Sequence, residues 1–135
     1  MTQLRPRTAA ALLALALPAS CATPRDAVAT CPASRDWGAH IDLAREGSSE
    51  LRLYVHGKVD VPPGMVAKLR PGPLDRMIPP TQRFSLELRH GRGAAGPQVI
   101  GGHAPASPMQ YREILISCGG ETIGRVDGSD IETAD

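Results

Sequence analysis

Aromatic side chains are nearly missing from this chain. Trp37, Phe84, Tyr54 and Tyr111 are the only ones in 135 residues. Single-stranded nucleic acid is held on sets of exposed stacking rings, so no nucleic-acid partner is expected. Sugar recognition, which commonly uses rings, is disfavoured on the same count. Long apolar runs are lacking too: residues 9–17 form an unbroken one, about half of the roughly 20 residues a bilayer-spanning helix needs. Helical spacing is weak after that run, and thirteen prolines with fourteen glycines punctuate the chain at strand-and-turn intervals. Cysteines number three, with no Cys-x-x-Cys and no clustered histidines, so the ligand spacing of a zinc site is absent and no cofactor is expected.

What is present begins at the N-terminus. Arg5 and Arg7 precede the apolar run, and Pro18-Ala19-Ser20-Cys21 supplies small residues after it. That order of charge, short apolar core and small residues is a secretory signal peptide over residues 1–20. Ala19-Ser20-Cys21 resembles the box of bacterial lipoproteins, which are cut before a cysteine that carries the lipid; Pro18 stands where leucine is usual. The resemblance implies lipidation at Cys21, a membrane anchor through that lipid, and, with Ala22 next, the outer membrane. Ordinary cleavage after Cys21 or Ala22 is the alternative, leaving a free periplasmic protein. Either way the chain is exported. Removing residues 1–20 takes away Arg5 and Arg7 and leaves thirteen basic residues against fourteen acidic ones, with no overall pull on DNA or anionic lipid. Charge is nevertheless uneven, basic over residues 58–92 and acidic over 121–135.

Residues 21–30 have no apolar period and read as a tether, so residues 31–135 form one domain with an acidic C-terminal tail. Period-two alternation dominates it. Over 51–61 the apolar side chains Leu51, Leu53, Val55, Val59 and Val61 take odd positions, with Tyr54, His56, Lys58 and Asp60 between. Gly57 occupies the one odd position without a side chain, so a bend or bulge is expected there. Residues 65–70 and 83–89 alternate likewise, and shorter candidates are 41–43, 98–100, 112–118 and 122–126. Six to seven short strands in about a hundred residues predict a small antiparallel β-sandwich, immunoglobulin-like or Greek-key. If Cys21 is acylated, Cys31 and Cys118 remain as a pair, and an oxidising compartment joins them. Ile114 and Ile116 share the face of Cys118, which places that cysteine inward.

Several segments imitate functional motifs. Gly91, Gly93 and Gly96 match G-x-G-x-x-G, but Pro97 and a strand follow where a dinucleotide fold needs a helix. The segment reads as a hairpin loop. Asp127, Asp130 and Glu132 offer oxygen ligands without the spacing of a calcium loop, and read as a turn followed by a frayed tail. His40, His56, His90 and His103 fall on four separate segments. His56 shares a strand face with Tyr54 and Asp60, so a His56–Asp60 pair with Ser85 or Ser117 as nucleophile is the constellation a hydrolase would need.

The series Cys31-Pro32, Ser34-x-x-Trp37, Leu53-x-Val55-x-Gly57-x-Val59-x-Val61-Pro62, Leu69-x-x-Gly72-Pro73, Pro79-Pro80 and Tyr111-Arg112-x-Ile114-x-Ile116-x-Cys118-Gly119-Gly120 resembles a group of small exported proteins of Gram-negative bacteria. The resemblance implies export and a β-rich domain, and brings no catalytic residues with it. Over a shorter stretch, the order of glycine-marked strand, Pro-Gly corner and strand is similar to the protease-complexing domain of some bacterial envelope proteins, without the rest of that pattern. Two functions are therefore expected. The first is a non-catalytic binding or structural module of the cell envelope with an envelope protein as partner, a protease-binding or inhibitory domain being a special case. The alternative is a small periplasmic hydrolase assembled around His56.

Overall fold

The computed structural model describes residues 30–134. The signal peptide over 1–20, Cys21 and almost all of the tether lie outside the described residues. Eight strands follow in order: β1 (Ser34–Leu43), β2 (Leu51–Val61), β3 (Met65–Leu74), β4 (Thr81–His90), β5 (Gly96–Pro105), β6 (Glu113–Cys118), β7 (Glu121–Asp127) and β8 (Glu132–Thr133). They form two four-stranded sheets, β5-β2-β1-β8 and β3-β4-β6-β7, packed face to face as a sandwich. No helix among the described residues is long and apolar enough to cross a membrane.

Alternation builds the core as the sequence requires. Leu53, Val55, Val59 and Val61 from β2 meet Phe84 and Leu86 from β4 and Ile114 and Ile116 from β6, all buried. A fully buried side chain of this kind stabilises by about 1.5–3 kcal/mol, so β2 is the spine of one sheet and β4 with β6 that of the other. Leu51 departs from its row: at the mouth of β2 it is half exposed.

Most neighbouring strands are antiparallel, but β4–β6 and β1–β8 are parallel. Topology explains the first. The chain leaves β4, crosses to the other sheet as β5, and returns at the opposite end to start β6. Two strands separated by one full pass must run the same way, and the connection is long enough to allow it. The eighth strand is the part of the acidic tail expected to fray: Glu132 and Thr133 pair with His40 and Ile41, and Ala134 N–H donates to Ile41 O at 3.0 Å.

The bulge expected at Gly57 lies instead in β1. Register shifts between Arg35 and Gly38, with Asp36 at φ 56°. This irregularity turns Trp37 inward between the sheets. A Cβ at Gly57 of β2 or at Gly124 of β7 would overlap the indole, so the two glycines form the slot that receives it. The indole N–H donates to Ser34 Oγ at 3.2 Å, and that hydroxyl donates to Ile123 O at 3.4 Å. Gly57 is thus missing a side chain because Trp37 supplies one.

The Cys31–Cys118 disulfide closes the sandwich, with Cα atoms 5.9 Å apart and a sequence separation of 87. It ties the start of the domain to the inward end of β6, as expected. The strand registers give the molecule two distinct ends. Cys31, Cys118 and the turn at residues 62–64 lie at one, where the chain arrives from residue 30. The connections 44–50, 75–80, 106–112 and 128–131 lie at the other. There Tyr111 is buried, and its phenolic oxygen accepts the Ser107 N–H at 2.7 Å, a cross-tie like the tyrosine corner of other β-sandwiches.

Candidate functional site

Chemistry-bearing side chains gather on the outer face of the β5-β2-β1 sheet. Because β2 alternates, Tyr54, His56, Lys58 and Asp60 all point away from the core. The pairing registers then decide what stands beside them. His40 of β1 and His103 of β5 both lie opposite Tyr54, and His56, one pleat along, lies between Gly38 and Gly101. Rings consequently line up across three strands. His40 stacks on Tyr54 with centroids 5.2 Å apart and planes at 16°, His103 tilts against Tyr54 at 5.9 Å, and His40 stands 6.1 Å from His56. The rings border a shallow hollow of about 270 Å³, floored by Val55, Gly101 and Gly102.

Glycine makes room for His56. A Cβ placed on Gly38 would sit 3.0 Å from the His56 Nε2 atom and 3.1 Å from its Cε1, so the imidazole leans over Gly38 toward β1. Two carboxylates of the same face are paired with cations: Asp60 with Arg35 at 3.2 Å and Asp36 with Lys58 at 3.1 Å. Among the described residues none of the three imidazoles has a side-chain hydrogen bond or ion pair, whereas Tyr54 donates weakly to the carbonyls of Leu43 and Ala44. The face therefore offers unpaired imidazole nitrogens.

The hydrolase constellation is not brought together. Asp60 faces Arg35 rather than His56. Ser85 and Ser117 pair with each other on the outer face of the opposite sheet, and Ser117 donates to Phe84 O at 3.2 Å. Two packed sheets, about 10 Å from plane to plane, separate those hydroxyls from His56. His90 ends β4 on that second sheet, away from the other histidines.

The acidic segment near the C-terminus has a structural occupation. Asp127 caps the 3-10 turn Gly128–Asp130, accepting from Ser129 N–H at 3.0 Å and from its hydroxyl at 2.8 Å. Those bonds, the backbone one foremost, hold its carboxyl below the ordinary range. Beside it a wider hollow of about 550 Å³ opens among Ile41, Pro79, Arg112, Asp127 and Ile131. The glycine-rich segment 91–96 links β4 to β5, and β5 itself opens at Gly96. It is a strand connection and not a phosphate loop.

His40 and His103 are the functional candidates that sequence reasoning passed over. Each lies on a strand whose apolar alternation is poor, and their meeting depends on register between strands far apart in sequence. The parity of His40 against the inward Ala39 and Ile41 was the one available signal. Comparison of the chain with protein-family models, with curated proteins and with solved structures finds no match.

Proposed function

We propose that this chain is a non-catalytic binding module of the bacterial cell envelope, exported by residues 1–20 and anchored by a lipid on Cys21, with an envelope protein as its partner. One observation carries the reading, the polarity of the domain. The tether enters at the disulfide end, and the opposite end exposes Leu74, Met77, Ile78 and Met109, with Ile78 at 78% and Met77 at 51%. Single exposed apolar residues are ordinary. These four instead gather at the end of β3 and on the two connections 75–80 and 106–112, which are tied to each other through Arg112 N–H and Pro80 O at 2.8 Å, and apolar side chains grouped in this way suit a protein contact. A tethered domain of this polarity holds its adhesive end away from the membrane. A protease partner is the narrower form of the same reading.

Two measurements test it in intact cells. A photo-crosslinking residue at position 78 is expected to capture one reproducible envelope protein, and the same residue at the exposed position 85 is expected to capture none. Wild-type protein should sediment with membranes, and Cys21→Ser should release it. A wild-type protein that is already wholly soluble overturns the anchor. An ester- or peptide-hydrolysing activity of the purified protein that His56→Ala abolishes overturns the binding module in favour of the hydrolase.

A further inference from the structure

We infer that His40 and His56 form a two-histidine site for a divalent transition-metal ion of the Zn²⁺ or Cu²⁺ class, with water completing the coordination sphere. The inference is independent of the partner-binding reading. Sequence spacing predicts no metal site because the two residues are sixteen apart on different strands; the β1–β2 register makes them diagonal neighbours on one face. Diagonal neighbours in an antiparallel pair are within reach of long side chains.

Three observations converge on this pair. Their ring centroids are 6.1 Å apart. Two metal–nitrogen bonds of about 2.0–2.1 Å, plus the radius of each ring, span up to roughly 6 Å between centroids, so a small rotation of the exposed His56 ring toward the fixed His40 closes the bridge. Gly38 then gives His56 its direction: the imidazole reaches across to β1 and lies where a side chain at position 38 would be, on the strand that carries His40. Finally, among the described residues neither ring has a side-chain hydrogen bond or ion pair; of the carboxylates on that face, Asp36 and Asp60 are engaged by Lys58 and Arg35, Asp42 accepts the Leu43 N–H, and Glu132, in register with His40, completes no three-ligand cluster. The donors the pair itself offers are imidazole nitrogens, which suit Zn²⁺ and Cu²⁺ rather than Mg²⁺ or Ca²⁺.

His103 is not a ligand. Tyr54 stands between it and His40, and among the described residues no three His, Cys, Asp or Glu side chains are close enough to share one ion. The site is a pair, open to water on the solvent side. Its backing is the stacked Tyr54 ring, which holds His40 in place.

Titration calorimetry with ZnCl₂ and with CuCl₂ tests the site on the untagged full chain, with Cys21→Ser as the common background so that its thiol takes no metal. One ion per chain is expected, with at least a tenfold loss of affinity in His40→Ala and in His56→Ala and none in His103→Ala. Gly38→Val keeps both ligands but occupies the space over which His56 leans, and is expected to weaken binding several-fold while the thermal transition stays cooperative. No saturable binding, affinity unchanged in both ligand variants, or an equal loss in His103→Ala each overturns the assignment. Calcium chloride serves as the hard-ion control, and competition by Ca²⁺ at equal concentration would overturn the imidazole-only donor set.

Discussion

Trp37 shows how one side chain can span two sheets. It reaches from a bulge in β1 into a slot whose walls are Gly57 of one sheet and Gly124 of the other, and in an aromatic-poor core it has no equivalent nearby. Gly57→Ala is expected to destabilise the domain by about 1–3 kcal/mol, the usual cost of forcing an extra carbon into a packed interior. Chemical denaturation of the purified protein measures it. The same substitution in a Trp37→Ala background should cost much less, because the two residues share one space and their effects do not add. Equal costs in both backgrounds would mean that backbone conformation, not the indole, requires glycine at position 57.

At the scale of elements, the β3–β4 connection is held by one carboxylate. Asp75 Oδ1 accepts the N–H groups of Thr81 at 2.8 Å and Met77 at 3.1 Å, and the Asp75 N–H donates back to Thr81 O. These bonds, that from Thr81 foremost, lower its pKa below the ordinary aspartate value. A carboxyl depressed in the folded state adds stability that is present above the unfolded-state value of about 4 and is lost as pH falls through the folded value. Asp75→Ala should therefore lower the melting temperature at neutral pH and narrow its difference from wild type as the pH falls below about 4. A difference constant from pH 7 to pH 2 would show that the carboxylate charge contributes nothing. Asp127 and Glu87 act in the same sense, through Ser129 and through Arg70 respectively, so part of the acid sensitivity survives in the variant.

For the whole molecule, the disulfide sets the margin. A domain of about a hundred residues buries only about 60–68% of its unfolded surface, and this one has few large rings. The Cys31–Cys118 bond spans 87 residues, for which loop-entropy reasoning gives about 4–5 kcal/mol. Replacing both cysteines with serine should lower stability by roughly 2–5 kcal/mol, the lower end reflecting residual structure in the unlinked chain. The oxidised protein should also show no thiol titre from either residue after unfolding without reductant. An unchanged melting temperature in the double variant would leave the hydrophobic core alone to account for the fold.

Much of this architecture was legible because local alternation and turn residues act over a few residues only. The inward rows of β2, β4 and β6, the breaks at Pro62-Pro63-Gly64 and the disulfide partners follow from patterns within single segments or from cysteine count. β1 is legible only at its C-terminal end, since the bulge before Gly38 scrambles its parity, and β8 is not legible because two residues in an acidic tail carry no alternation at all. The histidine face belongs to a different kind of information. Sequence puts His56 on an outward face; only the registers of β1 and β5 against β2 bring His40 and His103 beside Tyr54 and leave Gly38 beneath the His56 ring. The same long-range packing separates His56 from Ser85 and Ser117 by the thickness of the core. Short-range patterning specifies which side chains point outward, whereas strand pairing over tens of residues, chosen by burial of the whole core at once, decides which of them meet.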